Sequence, residues 1–320
     1  MIESGKIGLW PNSPLLERDN GHKRGPCYPL FPSARQALSH AIQILGLGRA
    51  NRVGVPEWSS HCVVSAVARI ATPIAIGDAL KGEIKLDAIV AYDQWGWSQP
   101  GNEIQRLSGL PGSPAIILDK VDSPGPANDS RVSVSTCEIW SFSKVLGFGG
   151  GGLLRYNGEF VPSQLESGDF DRMFAGTVYA GDWADIAKTY GKTIPGELEL
   201  INADGELDAL VAKQNEKRMI NLSILTGLGI VEMRDWMQSS LNQGSFPGIA
   251  PLLFGEDVRL LSKISFELMS NFGVETTQYN FNINGSLIDA DYQKCLAFPL
   301  HGGLEPDLVE SCAKMIQSMV

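Results

Sequence analysis

Several large classes of protein are excluded by what this sequence has little of. It carries five cysteines (Cys27, Cys62, Cys137, Cys295 and Cys312), an odd number, widely spaced and without a Cys-x-x-Cys pair, and only four histidines scattered among them. Such spacing suits neither a disulfide framework nor a zinc site. Basic residues are in deficit, and the formal charge of −10 argues against nucleic acid or an anionic membrane as the main partner, although a local basic pocket remains compatible with it. No apolar run reaches the ~18 residues that a membrane span requires. Residues 1–20 are polar and broken by Pro11 and Pro14, so no signal peptide is expected and the expected location is cytoplasmic. Internal repeats and low-complexity tracts are absent.

The composition that is present, 43% hydrophobic and 19% charged, is that of an ordinary soluble globular protein. A chain of 320 residues exceeds the usual size of one core, so a large domain and a smaller one are expected. Residues 1–30, rich in proline and glycine, read as an extended arm that packs on a partner subunit or stays loosely held. Ser33 then caps a helix whose apolar positions Ala37, Leu38, Ala41, Ile42 and Leu45 follow helical spacing. Gly46 and Gly48 stop it. Short strands are expected at 52–56, 73–76, 87–92 and 115–119, with a helix over 61–70 and further connections between them. That alternation predicts a mostly parallel, doubly wound α/β sheet, in which ligands bind outside the carboxyl ends of the strands. A long helix over 204–225, a strand over 294–300 and a capped C-terminal helix complete the reading. The expected division is an arm (1–30), a large domain (31–212) and a small C-terminal α/β domain (213–320).

One stretch stands out chemically. Residues 139–152 read Ile-Trp-Ser-Phe-Ser-Lys-Val-Leu-Gly-Phe-Gly-Gly-Gly-Gly, which places a single amine, Lys144, beside the hydroxyls of Ser141 and Ser143 and just ahead of a glycine run. Hydroxyls and exposed backbone N–H groups can hold a phosphate while the neutral amine attacks a carbonyl. Pyridoxal 5′-phosphate (PLP) offers both groups. A P-loop would end in Gly-Lys-Ser/Thr, and a dinucleotide fingerprint would follow the first strand of a βαβ unit; neither description applies. A plain glycine turn beside a solvated lysine is the bland alternative. Asp119 closes another expected strand, so two chemically useful residues fall on the ligand-binding edge.

The order of these parts resembles the DegT/DnrJ/EryC1/StrS aminotransferase family, a branch of the fold-type I PLP enzymes. The resemblance rests on Ser33-Ala34-Arg35-Gln36-Ala37-Leu38 with Leu45-Gly46-Leu47-Gly48, on the block from Arg52 to Val67, and on Ile117-Leu118-Asp119-Lys120-Val121-Asp122. The lysine loop 141–152 and Cys295 to Leu304 complete it. It implies a fold-type I large domain with a mostly parallel doubly wound sheet and a smaller C-terminal α/β domain. It also implies a homodimer, PLP as cofactor, and amino transfer from an amino acid donor to a keto or aldehyde acceptor such as a sugar. Within that resemblance Lys144 would form the Schiff base and shuttle the proton, and Asp119 would pair with the pyridine nitrogen. Ser141, the N–H groups of Ala34 and Arg35, and Ser143 would bind the phosphate. Val121 would pack on one ring face, and His61, flanked by Trp58 and Ser60, on the other.

Two departures bear on the acceptor more than on the cofactor. Asp122 occupies the position at which the family has Gln or His, which the resemblance implies lies near the cofactor's phenolic oxygen, and the family's "G-x-N-Y-R-M" segment is not recognisable. Segments 177–192 and 192–195 are the candidates to replace it. For a substrate carboxylate, Arg155, Arg172 and Arg218 all stay open. A PLP lyase or dehydratase using the same lysine, and a non-catalytic sensor or partner protein on the same fold, are the alternatives.

Overall fold

The computed structural model describes residues 6–11, 31, 33–100, 102–124, 137–146, 151–161, 206–255 and 257–320. Expectations placed on 12–30, 147–150 and 162–205, Arg172 included, lie outside the described residues.

A seven-stranded sheet organises the first half. Its strands are β1 (Arg52–Val55), β2 (Thr72–Ala75), β3 (Ala88–Tyr92), β4 (Ala115–Asp119), β5 (Cys137–Ser141), β6 (Gly152–Tyr156) and β7 (Glu159–Phe160), in the order β2-β1-β3-β4-β5-β6-β7. The first five run parallel. β6 and β7 add antiparallel. Helices cover both faces, as parallel sheets require. On one face α1 (Ala34–Ile44) and α2 (His61–Ala68) bury Leu38, Ile42 and Val67 against Val53, Val90, Ile117 and Ile139. On the other, α3 (Ile76–Lys81) and α4 (Glu103–Ser108) bury Ile76, Ile104 and Leu107 against Ile89, Ile116 and Leu118. Consecutive residues of β4 therefore serve opposite cores, the period-2 consequence of the pleat. The expected doubly wound α/β sheet is what the chain forms.

A second unit has its own core, in which Leu261, Ile264, Phe281, Leu296, Phe298 and Ile316 are fully buried. It consists of a three-stranded antiparallel sheet, β8 (Ile249–Leu252), β10 (Tyr292–Pro299) and β9 (Thr277–Asn282), in the order β8-β10-β9. Around it lie α6 (Glu206–Gly227), α7 (Asp235–Asn242), α8 (Val258–Phe272) and α9 (Pro306–Gln317); the five-residue α5 (Phe142–Leu146) belongs to the lysine loop. The division expected at 212/213 falls inside α6. The two units are joined by specific contacts. Trp97 Nε1 donates to the Ile249 carbonyl at 3.1 Å. Glu103, buried at the start of α4, accepts from Ser286 Oγ and from the Leu287 and Ile288 amides at 2.7–3.0 Å.

From the arm, residues 6–11 lie against this second unit. Ile7 bridges to Val274, Lys6 pairs with Glu275 at 3.1 Å, and the Gly8 carbonyl meets His301 Nε2 at 3.0 Å.

Candidate active site

The site is assembled by strand ends. Tyr92 ends β3, Asp119 ends β4 and Ser141 ends β5, and the register pairs Tyr92 with Asp119 and Ser141 with Gly152. All lie at the carboxyl edge of the parallel strands. Past β5 the chain turns directly into α5, which carries Lys144.

Gly152 explains why α1 begins at the same edge. A Cβ there would come within 2.5 Å of the Ser33 carbonyl carbon and 2.6 Å of the Ala34 nitrogen, so only glycine lets the helix start rest on β6. Ser33 caps α1 by accepting from the Gln36 amide at 3.4 Å. The first helical N–H groups, those of Ala34 and Arg35, have no partner within the helix and form an anion-seeking end.

Lys144 Nζ donates to Asp122 Oδ1 at 2.8 Å. Asp122 is wholly buried while the lysine side chain is 36% exposed. The other Asp122 oxygen accepts from the Tyr92 hydroxyl and from the Trp95 amide at 3.2 Å. Trp95 adopts a left-handed φ of +59°, unusual for a bulky residue. Its ring is held by stacking on Phe281 at 5.3 Å, and the turn aims its N–H at the carboxylate. Burial alone would lower the Lys144 pKa, but the Asp122 charge and hydrogen bond, with Asp119 and Cys62 behind them, leave it raised. Burial, together with Asp122, likewise pushes the Tyr92 hydroxyl well above its ordinary value.

Asp119 is 2% exposed. Burial raises its pKa from 3.8 to about 7, against the opposing pull of Lys144, while Asp122 and Asp93 add to the rise. Its Oδ1 accepts from the Val121 amide at 3.2 Å. A carboxyl poised near neutrality beside a paired amine can hold or release a proton, the kind of perturbed group that marks functional sites.

The remaining expected residues are placed as follows. Ser141 is buried, Val121 and Ala34 are half-buried, and Arg35 is exposed; the Ser143 side chain lies outside the described residues. His61 is exposed at the first position of α2 and its Nδ1 lies 3.4 Å from Ser65 Oγ. Trp58 is largely exposed and packs edge-on to Tyr292. Of the arginines, Arg155 is committed to Glu138, its Nε donating at 2.5 Å. Three residues at the site carry no sequence motif: Tyr92, Arg218, and Trp10, whose ring lies 5.3 Å from Lys144 Nζ. Tyr92 was findable by the strand-end rule that selects Asp119.

Replacing Asp122 by asparagine should remove the largest of the contributions that oppose burial at Lys144, so its pKa falls. PLP uptake followed by absorbance should then reach half its maximal rate at a lower pH than in the wild type, because only the neutral amine reacts. An unmoved midpoint would show that Asp122 does not govern the amine. In stability the sign is opposite. The raised lysine pKa contributes stability that is present below its ordinary value of 10.5 and is lost as the pH climbs through the folded-state value. The deficit of the Asp122→Asn protein should therefore be greatest near neutrality and fade in strong alkali.

A family model described as "Putative PLP-dependent aminotransferase" matches residues 21–158, the segment that carries Asp119, Lys144 and the start of α1. No curated protein sequence matches the chain. Similar solved structures include the aminotransferase TlmJ from Streptoalloteichus hindustanus, at 16% identity and a TM-score of 0.57, covering 98% of this chain and 99% of that one. A DegT DnrJ EryC1 StrS aminotransferase from Brucella abortus is similar at 16% identity and 0.56, over 90% of this chain and 84% of that one. The PLP form of a protein titled "Putative sugar aminotransferase Spr1654" from Streptococcus pneumoniae is similar at 13% identity and 0.61, covering 98% of each. The fold is the one that these aminotransferases share, and the family model matches within the half of the chain that builds the seven-stranded sheet.

The donor set fits PLP. A buried acid closes one strand, an amine follows the next, and a helix N-terminus rests on Gly152, the residue paired with Ser141 at the end of that second strand.

Proposed function

We propose that the protein is a PLP-dependent aminotransferase that moves an amino group from an amino acid donor to a keto or aldehyde acceptor, a sugar or another small metabolite. The observation that carries this reading is the placement of Asp119 and Lys144 at adjacent strand ends, the acid buried and poised near neutrality and the amine held by Asp122. When bound, PLP supplies the aldehyde that captures the amino group and a ring that withdraws electrons.

The chain's own residues divide the remaining work. Lys144 Nζ would anchor the cofactor through its aldehyde and, as the free amine, would carry the proton taken from the donor's α-carbon. Asp119 would pair with the ring nitrogen and keep a proton on it. Ser141, Ser143 and the N–H groups of Ala34 and Arg35 would hold the phosphate. Val121 and His61 would flank the ring, and Asp122, which accepts from the Tyr92 hydroxyl, would lie on the side of the phenolic oxygen. Neutralisation of the lysine requires its proton to leave, and Asp122 at 2.8 Å is the nearest acceptor.

We place the protein in the cytoplasm as a homodimer. Among the described residues no helix is long and apolar enough to cross a membrane, and light scattering that gave only monomer at full cofactor occupancy would contradict the dimer. The experiment for the reaction is a half-turnover: PLP-loaded protein mixed with glutamate should yield 2-oxoglutarate and retain pyridoxamine 5′-phosphate. Release of ammonia with the cofactor returned as PLP would instead make it a lyase. A bound cofactor inert to every amino donor would make it a sensor.

A further inference from the structure

A cleft of about 410 Å³, counting the solvent in its open mouth, lies between the carboxyl edge of the parallel sheet and the second unit. Five aromatic side chains line it. Trp58 follows β1, Tyr92 ends β3 and Trp97 lies just beyond; Trp236 of α7 and Tyr292 at the start of β10 come from the second unit. None of its lining residues carries a charge. Its three amide side chains are already used by the fold. Gln94 donates to the Asn280 carbonyl at 2.9 Å and accepts from the Asn282 amide at 3.1 Å. Gln99 donates to the Tyr92 carbonyl. Asn282 donates to the Ser286 carbonyl at 2.6 Å and accepts from the Asp291 amide at 3.3 Å. The cleft therefore offers a ligand aromatic surface rather than a cation or a set of free donors.

The walls are set without a ligand. Trp236 Nε1 donates to the Ile283 carbonyl at 2.8 Å, and its ring stacks on Phe281 at 6.0 Å and meets Trp97 edge-on at 6.3 Å. A Cβ on Gly285 would come within 2.8 Å of that indole, so glycine lets the turn after β9 lie against it. Trp58 is different: it stands 62% exposed at the mouth, edge-on to Tyr292 at 6.5 Å. Burial, with Glu57 behind it, pushes the Tyr292 hydroxyl up to about 12, so that wall stays neutral. Tyr92 joins the cleft to the chemistry, since its hydroxyl donates to Asp122, the carboxylate that holds Lys144.

We infer that this cleft seats the part of the amino acceptor remote from its carbonyl, and that this part is an uncharged planar ring, with Trp58 setting the preference at the mouth. A ring gains by stacking on or meeting the indoles edge-on. A diphosphate would lose its water with no cation to replace it, and a polyol would bury hydroxyls against amides that are already engaged. The inference rests on the aminotransferase reading for the ligand's being a substrate; the preference for a neutral ring is a property of the cleft.

The test uses the full-length protein after incubation with PLP and three probes that cannot transaminate: indole, methyl β-glucoside and uridine diphosphate, titrated by calorimetry. Indole should bind the wild type, and the other two at least about 10-fold more weakly. Trp58→Ala should weaken indole about 3- to 10-fold, the worth of one aromatic pair. Trp58→Phe, which keeps a ring, should stay close to the wild type, and both variants should melt with it because the side chain is exposed. In turnover the wild type should prefer phenylacetaldehyde to acetaldehyde in kcat/KM, and Trp58→Ala should narrow that preference by the same factor. No binding of indole, equal indole affinity in wild type and Trp58→Ala, or tighter binding of the glucoside or the diphosphate would overturn the inference, whether or not amino transfer occurs. Trp58-dependent indole binding in a protein that takes up no PLP would sink the aminotransferase reading and leave the cleft's preference standing.

Discussion

Lys144→Ala is expected to abolish covalent retention of PLP and to lower amino transfer by at least about 10²–10⁴-fold, the range a positioned proton carrier contributes. Among the described residues no other lysine is recorded beside Asp119 and Asp122. Lys120 is the nearest lysine in sequence, but its Nζ lies 3.5 Å from Glu138 Oε1 in a buried pair and 5.3 Å from the Trp140 ring. The fold should survive, because Asp122 keeps the Tyr92 hydroxyl and the Trp95 amide as donors when the ammonium is removed. Circular dichroism and a melting curve close to wild type, together with absent turnover, are the expected pair of results. Retained turnover would remove Lys144 from the mechanism.

Asp119→Asn should separate stability from function. The folded protein holds this carboxyl protonated up to about pH 7, whereas the ordinary value is 3.8. Between those limits the native state binds more protons than the unfolded state, so wild-type stability falls as the pH rises through the window and levels off above it. A shift of that size amounts to a few kcal/mol at roughly 1.4 kcal/mol per unit. Asparagine never ionises, so the cofactor-free variant should melt higher than the wild type at pH 8 and similarly to it near pH 4. Turnover should fall by about 10²–10³-fold for the loss of one electrostatic partner of the reacting system. Such a variant, sturdier and less active, is the usual trade at a strained functional site. Equal melting temperatures at pH 8 would mean that burying Asp119 carries no cost, and full activity would mean that it faces nothing charged in the reaction.

The parts of this protein that sequence reveals are those with a period or a rule. The apolar stripe of α1, the short buried strands and the alternation of helix and strand gave the doubly wound sheet, and the strand-end rule led to Asp119 and Lys144. What stayed hidden breaks such rules locally. β8 contains Pro251, which argues against a strand until one sees that β8 lies at the edge of its sheet, where proline is tolerated. β9 reads Thr-Gln-Tyr-Asn-Phe-Asn and shows little hydrophobic alternation, its outer half being solvated. Helix α6 buries Gln214, Arg218 and Asn221, a polar stripe that periodicity would assign to solvent. Gln214 accepts from the Gly302 amide at 3.0 Å and Asn221 donates to the Leu300 and Leu304 carbonyls at 3.1 and 3.2 Å, so the stripe fastens the turn between β10 and α9. Arg218 belongs to that stripe, which is why sequence left it one choice among three. Trp10 was hidden for a different reason. Its contact with Lys144 joins residues far apart in the chain, and no local pattern records such a meeting.

The central claim is that Lys144 is the residue that holds the cofactor. The most direct test is to incubate the purified protein with PLP, reduce with borohydride, digest, and map the pyridoxyl group by mass spectrometry. One equivalent on the peptide that contains Lys144, absent from Lys144→Ala, is the result expected here. Label spread over exposed lysines, or fixed on another lysine alone, would contradict it, and the strand-end cluster would then be a buried ion pair without a cofactor.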